Sequence, residues 1–179
     1  MTSSLQVQIP VQSSPDRSSD SESTSPTAQK QFKHELFFYG GSRHHFERYK
    51  PYFNNLRIRK IKAGASHQLV LTEDYQLYIM GKGYGIGHFD QAMDQVVNIT
   101  HKICSEGERI IEIATKGWHN LLVTNTGKVI SFGQNDYGQC GHEDVTNPVK
   151  APTVIKALAQ IDSNIKFVAT GTCHSIAAS

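Results

Sequence analysis

KGWHNLLVTNTGKVISFGQNDYGQCGH, residues 116–142, is the stretch whose reading decides this fold. It gathers histidine, tryptophan, cysteine and several glycines, a mixture that suits a metal site, a phosphate loop or a catalytic corner. Recurrence separates these from architecture, because a reactive centre is assembled once whereas a structural unit returns at a fixed period. HQLVLTEDYQLYIMG, residues 67–81, lies on HNLLVTNTGKVISFG, residues 119–133, without a gap. His67 falls on His119, Leu69 on Leu121, Thr72 on Thr124, Leu77 on Val129 and Gly81 on Gly133, a uniform spacing of 52 residues. A third copy begins at GTCHSIAAS, where Gly171 and His174 correspond to Gly64 and His67. LFFYG, residues 36–40, resembles VISFG at 129–133, as though the chain entered its array in the middle of a unit.

Each unit reads as a β-hairpin with a corner. After Gly-x-x-His, the alternation of Leu121 and Val123 with Asn120, Leu122 and Thr124 suits a pleated strand. Asn125-Thr126-Gly127 is turn chemistry, and Lys128 to Phe132 returns as the antiparallel partner. Gly133 to Gly141 forms a glycine-punctuated corner, and Gln95–Ile99 and Pro152–Ile155 are candidates for an outer strand. Such a sheet of three or four strands cannot cover its own faces, so stacking on the next copy must bury them.

The units differ in places. Tyr75 stands where Gly127 stands, and a bulky residue at positive φ is strained, so the first hairpin is expected to use a different turn. Lys116 replaces the glycine found at 64 and 171, with Gly117 following at once. The corner GKGYGIGH at 81–88 is two residues shorter than GQNDYGQCGH at 133–142.

Composition bounds the remainder. The chain has 179 residues and a net charge of +2, too near neutral for bulk attraction to nucleic acid. Three cysteines, Cys104, Cys140 and Cys173, form no C-x-x-C pair, which suggests neither a disulfide framework nor a cysteine zinc site. No segment approaches the ~20 apolar residues that span a bilayer, so no membrane insertion is expected, and a cytoplasmic or nuclear location is. Residues 1–33 are rich in Ser, Thr, Gln and Pro and offer no apolar periodicity, so a disordered tail is expected there, with Ser14 and Ser25 as candidate phosphorylation sites. Residues 34–179 then form one domain, with units near 58–109 and 110–164 and fragments at 34–57 and 165–179.

Chemical readings are weak. His67, His119 and His174 hold equivalent places in successive units, so they should lie one per sheet rather than around one ion, and no metal site is expected. Their expected task is local, a ring nitrogen bonding to backbone near the glycine turn. GKGYGIG at 81–87 matches no phosphate-loop pattern, and no long helix follows it. The three cysteines lack an activating base and read as inert thiols. One feature is not absorbed by the repeat. Arg43, Arg48, Lys50, Arg57, Arg59, Lys60 and Lys62 cluster with Phe46, Tyr49, Tyr52 and Phe53, a candidate partner-binding patch or else an inter-unit loop leading into a strand at 58–63.

Gly-x-x-His, a hairpin, an aromatic-Gly and a Tyr-Gly-Gln-x-Gly-His corner at this period resemble the regulator of chromosome condensation repeat. The resemblance covers about residues 34–179 and marks Gly64, His67, Gly81, Gly87, Gly117, His119, Gly133, Gly138, Gly141, Gly171 and His174 as a structural signature. It implies a seven-bladed β-propeller, of which this chain carries less than half. The expected fold is therefore all-β, an incomplete propeller of antiparallel three- to four-stranded blades. The founding member is a nuclear guanine-nucleotide exchange factor that also binds nucleosomes, and other members are domains of ubiquitin ligases and signalling scaffolds. Their shared property is a protein-binding surface. The expectation is a non-enzymatic protein-interaction or regulatory module without cofactor or small-molecule substrate. Its partner would be another protein, such as a small GTPase or chromatin, with further blades supplied by another chain. The alternatives are an exchange factor for a small GTPase, or a truncated remnant without independent function.

Overall fold

The computed structural model describes residues 37–40, 43–48, 56–89, 95–143, 147–161 and 164–179, and of 37–40 and 43–48 it describes the strands alone. The expected tail, with Ser14 and Ser25, lies outside the described residues, as does Lys50.

Among the described residues, twelve strands form four antiparallel sheets. The first complete blade orders β3 (Ile58–Ala63), β4 (His67–Thr72), β5 (Leu77–Gly81) and β6 (Val97–Asn98) side by side. The second repeats that order with β7 (Ile110–Thr115), β8 (His119–Thr124), β9 (Val129–Gly133) and β10 (Val149–Val154). Two-stranded sheets precede and follow them: β1 (Phe37–Gly40) with β2 (Arg43–Arg48), and β11 (Phe167–Thr170) with β12 (Ser175–Ala178). The all-β propeller architecture is thus present, with four strands in each complete blade. A one-turn helix, Lys156–Ala159, follows β10. No helix among the described residues is long and apolar enough to cross a membrane.

Register confirms that the two blades are copies. His67 pairs with Gly81 and Leu69 with Ile79, while His119 pairs with Gly133 and Leu121 with Ser131. Residues along β8 alternate between two buried faces, so the strand is covered on both sides. Leu122 turns back to the first blade, packing with Leu69, Leu71, Leu77 and Ile79. Leu121 and Val123 turn forward and pack with Ile155 and Ile165 beside the last sheet. The core is therefore not inside a blade but between blades.

Two expectations need correction. The turn carrying Tyr75 is the same as the one carrying Gly127, with Tyr75 itself at φ 62° and Gly127 at φ 80°. Tyr75 N–H donates to Thr72 O as Gly127 N–H donates to Thr124 O, each at 3.0 Å. Placing a bulky residue in the left-handed region costs about 1–2 kcal/mol, and the Tyr75 ring offsets it through two guanidinium contacts. Arg59 of its own blade lies 5.3 Å from the ring centroid, and Arg109 at the start of the next blade lies 4.8 Å away. A sterically disfavoured turn is thus held by contacts that the hairpin alone does not contain. Second, residues 43–48 are not loop but strand, β2 paired to β1. This places Arg43 and Arg48 within a sheet.

Candidate functional site

The signature residues converge on the seams between blades. At the first seam the His67 ring is fully buried, as is Asn120 of the next blade. His67 Nε2 lies 2.8 Å from Asn120 Oδ1 and 2.9 Å from Thr115 Oγ. The Asn120 amide donates to Gly85 O at 2.7 Å, which turns its Oδ1 toward the histidine. Thr115 Oγ spends its proton on His119 O. Both neighbours of Nε2 are thus acceptors, so Nε2 carries the proton and the ring is neutral.

Glycine is required on both sides of this ring. A Cβ at Gly64 would come within 2.3 Å of His67 Cε1, and one at Gly85 within 2.0 Å of Nδ1. The same device recurs at the second seam. His119 Nε2 lies 3.0 Å from Ser175 Oγ, and Ser175 donates to Gln139 O at 2.8 Å. Ser175 follows His174 as Asn120 follows His119, and Gln139 occupies the corner position that Gly85 occupies. Each histidine is therefore latched to the residue after the next unit's histidine, and that residue in turn grips the carbonyl of the previous unit's corner. For His67, the expected bond from ring to nearby backbone is replaced by this side-chain bond between units.

Burial lowers the pKa of both His67 and His119, and Nδ1 of each ring is buried without a hydrogen-bond partner. A second proton has nowhere favourable to go. Because the folded-state pKa lies below the unfolded value, the unfolded chain binds more protons in the window below about pH 6.5. Stability should be full above that value and fall as the pH drops through it, by at most about 1.4 kcal/mol per pH unit for each ring. Urea midpoints at pH 7.5, 6.5 and 5.5 check this, and a flat profile would contradict the neutral latch.

Other contacts complete the seams. Ala65 N–H donates to Gly117 O at 2.8 Å, and Gly117 closely approaches the Thr172 carbonyl of the following unit. Both N–H and Nδ1 of His88 lie 2.9 Å from Lys150 O. Lys60 forms an ion pair with Glu112 of the neighbouring blade. The corner glycines Gly81, Gly87, Gly133, Gly138 and Gly141 all adopt positive φ. Cys140 is buried, and burial pushes its thiol up to about 12, which keeps it protonated and unreactive.

The remaining predicted residues are more dispersed. His174 is exposed, its ring folded against Gly171. The candidate basic patch is divided: Lys60 is engaged with Glu112, Arg59 stacks on Tyr75, and Lys62 is exposed. Among the described residues no group of three or more His, Cys, Asp or Glu could hold a metal ion. Asn120, Thr115, Ser175 and Gly85 were absent from the sequence-based set. A signal existed, since each unit's histidine is followed by a polar residue, Gln68, Asn120 or Ser175.

One rim of the blades presents aromatic residues. The loops between first and second strands and the corners after third strands meet at this end, because His67 pairs with Gly81 and His119 with Gly133. Tyr84 and Tyr137 project from the two corners and are 52% and 73% exposed. Trp118, half-buried, lies over Gly83 beside Tyr84, since a Cβ there would meet its ring at 2.4 Å.

Comparison with known proteins places this architecture. Two family models described as regulator of chromosome condensation (RCC1) repeat match residues 126–178 and 110–139. An Arabidopsis thaliana protein, the mitochondrial RCC1 domain-containing protein RUG3, is 34% identical over 128 residues, covering 67% of this chain and 26% of the relative. The crystal structure of human WBSCR16 matches with a TM-score of 0.57 and 20% identity, over 73% of this chain and 32% of that one. Prp20p from Saccharomyces cerevisiae, whose structure was described with its binding properties to Gsp1p and histones, matches at a TM-score of 0.54 and 23% identity, over 75% and 33%. The two structures share the fold, and this chain spans between a quarter and a third of the length of these three proteins.

Proposed function

We propose, from the premise that this chain is a regulator of chromosome condensation repeat protein, that it is a non-enzymatic protein-interaction module whose aromatic rim contacts the partner. The observation that carries this reading is the exposure of Tyr84 and Tyr137 beside Trp118 on one rim. Tyrosine and tryptophan dominate binding energy at protein interfaces, because each supplies a large rigid surface with a polar edge. The histidine, asparagine and serine groups of the seams are occupied in holding blades together, which leaves recognition to the loops. A relative by fold, Prp20p, is described as binding Gsp1p and histones, which supports a protein partner of that kind, a small GTPase or chromatin.

The test uses Tyr84→Ala/Tyr137→Ala, two exposed substitutions that leave the seams intact. Binding to a panel of small GTPases and to nucleosomes should be measurable for the unaltered chain and at least about tenfold weaker for the variant, the cost of losing one interface anchor. No binding to either class, or equal binding by the variant, removes the reading. Labelled-nucleotide release from the same GTPases separates binding from the exchange-factor alternative.

A further inference from the structure

Tyr75 departs from the repeat together with its surroundings. Ile58 pairs with Thr72 as Ile110 pairs with Thr124, so Arg59, Glu73, Asp74 and Tyr75 correspond to Ile111, Asn125, Thr126 and Gly127. Thr170 pairs with Ser175 as Thr115 pairs with Asn120, so Arg109 corresponds to Asn164. At the second seam this corner is neutral and close-packed, since a Cβ on Gly127 would meet Asn164 Oδ1 at 2.6 Å. At the first seam the same turn carries a phenol at φ 62°, with the guanidinium carbons of Arg59 and Arg109 at 5.3 and 4.8 Å from its ring centroid. The hairpin needs no side chain there, because Gly127 makes the same bond to a threonine carbonyl without steric strain. The charges are unusual as well. Both arginines are exposed, and neither forms an ion pair with another described residue, whereas Lys60 and Lys128 are paired with Glu112 and Glu108. One guanidinium comes from each blade, so two cations converge on one phenol across the seam.

We propose that Tyr75 is a phosphorylation site for a tyrosine kinase, and that Arg59 and Arg109 hold its phosphate as a clasp between the two blades. In the transfer a bond forms between Tyr75 Oη and the γ-phosphorus of ATP, the bond from that phosphorus to the ADP oxygen breaks, and the phenolic proton leaves to the kinase's base. The acceptor sits at a hairpin tip and is half-buried, beneath two exposed side chains that are free to swing aside. Glu73 and Asp74, immediately before it, are exposed, and acidic residues beside the acceptor are a charge pattern by which kinases select substrates. These same two carboxylates are the charges that oppose a phosphate on the turn, and the two guanidiniums offset them. Phosphate offers three strong acceptor oxygens, and guanidinium engages it through paired N–H bonds. A contact between ring and cations thus becomes a charge-assisted one that spans the seam. The second seam, with Ile111, Gly127 and Asn164 at these places, has none of this chemistry. This inference is independent of which protein the aromatic rim binds.

The 179-residue chain is treated with Mg-ATP and a tyrosine kinase that prefers acidic flanks, beside a peptide of residues 70–80. Fragmentation mass spectrometry should place phosphate on Tyr75 in both. Its absence from Tyr75 of the folded chain, whether or not the peptide is modified, overturns the proposal. Phosphotyrosine inserted at position 75 during translation tests the clasp without a kinase. The urea midpoint should rise above that of the unmodified chain. A tyrosine phosphatase should release phosphate at least about tenfold more slowly than from the same phosphorylated chain carrying Arg59→Ile/Arg109→Asn. That variant bears the residues of the second seam and should keep the native circular dichroism spectrum. An unchanged or lower midpoint on phosphorylation, or equal release from both chains, also overturns the proposal.

Discussion

Phe132→Ala is expected to remove about 3–5 kcal/mol of stability, the range for truncating a large buried aromatic. Phe132 is completely buried on β9 and meets Phe89 of the preceding blade edge-on, with ring centroids 6.0 Å apart and planes at 84°. Its ring also lies against Gly87, where a Cβ would approach Phe132 Cδ2 at 3.1 Å. It therefore fills the space between two blades, and neither blade can collapse into the void without breaking the ladder that holds it. The loss compares with the whole stability of an ordinary domain, about 5–15 kcal/mol. Urea unfolding checks it. A change under about 1 kcal/mol would mean that the blades are held by their own hairpins rather than by their seams.

Asn120→Leu should cost about 3 kcal/mol or more, although it replaces a polar side chain by an apolar one of similar size. The amide at 120 accepts from His67 Nε2 and donates to Gly85 O, with a longer contact of 3.4 Å to Phe132 O. Leucine leaves the Gly85 carbonyl without this donor and returns part of the His67 proton to Thr115 alone. Each buried polar group left without a partner costs about 1–3 kcal/mol. Asn120→Ser should lose less than Asn120→Leu, because serine performs this task at the next seam, where Ser175 both accepts from His119 and donates to Gln139. Denaturation curves of the two variants decide the matter. If leucine is tolerated better than serine, volume rather than the latch holds the seam.

These expectations place the cohesion of the molecule between its units. The apolar contacts of the first seam draw on both blades, from Leu69 and Ile79 on one side to Leu122 and Phe132 on the other. The polar contacts repeat the pattern at three levels of the same seam. His67 and Asn120 meet at one end, Lys60 and Glu112 along the inner strands, and Tyr75 and Arg109 at the opposite end. A unit of this kind is stable only beside a neighbour, as expected of an array whose stability is a sum of units and interfaces.

Much of this was legible in the chain before folding was considered. A spacing of 52 residues between His67 and His119, with leucines at matching places, identified the repeat. Alternation on the hairpin strands and the glycine of the Asn125–Gly127 turn identified the sheet, because those signals depend on local sterics and on the two-residue period of a strand. Other features were hidden for the same physical reason. Tyr75 at φ 62° contradicts its local preference, and its ring is held by Arg59 and by Arg109, the second from another blade. The partner of each histidine lies in the next unit, as 53 residues separate His67 from Asn120, and no local rule reports a hydrogen bond across that distance. The division of the basic residues among an ion pair, a ring contact and solvent follows likewise from which blade stands beside which. Sequence by itself determined the unit, its period and its turns, since these arise within a few neighbouring residues. Tertiary structure alone decided what the signature histidines touch and which faces are covered, since those depend on surfaces that meet only after the sheets have stacked.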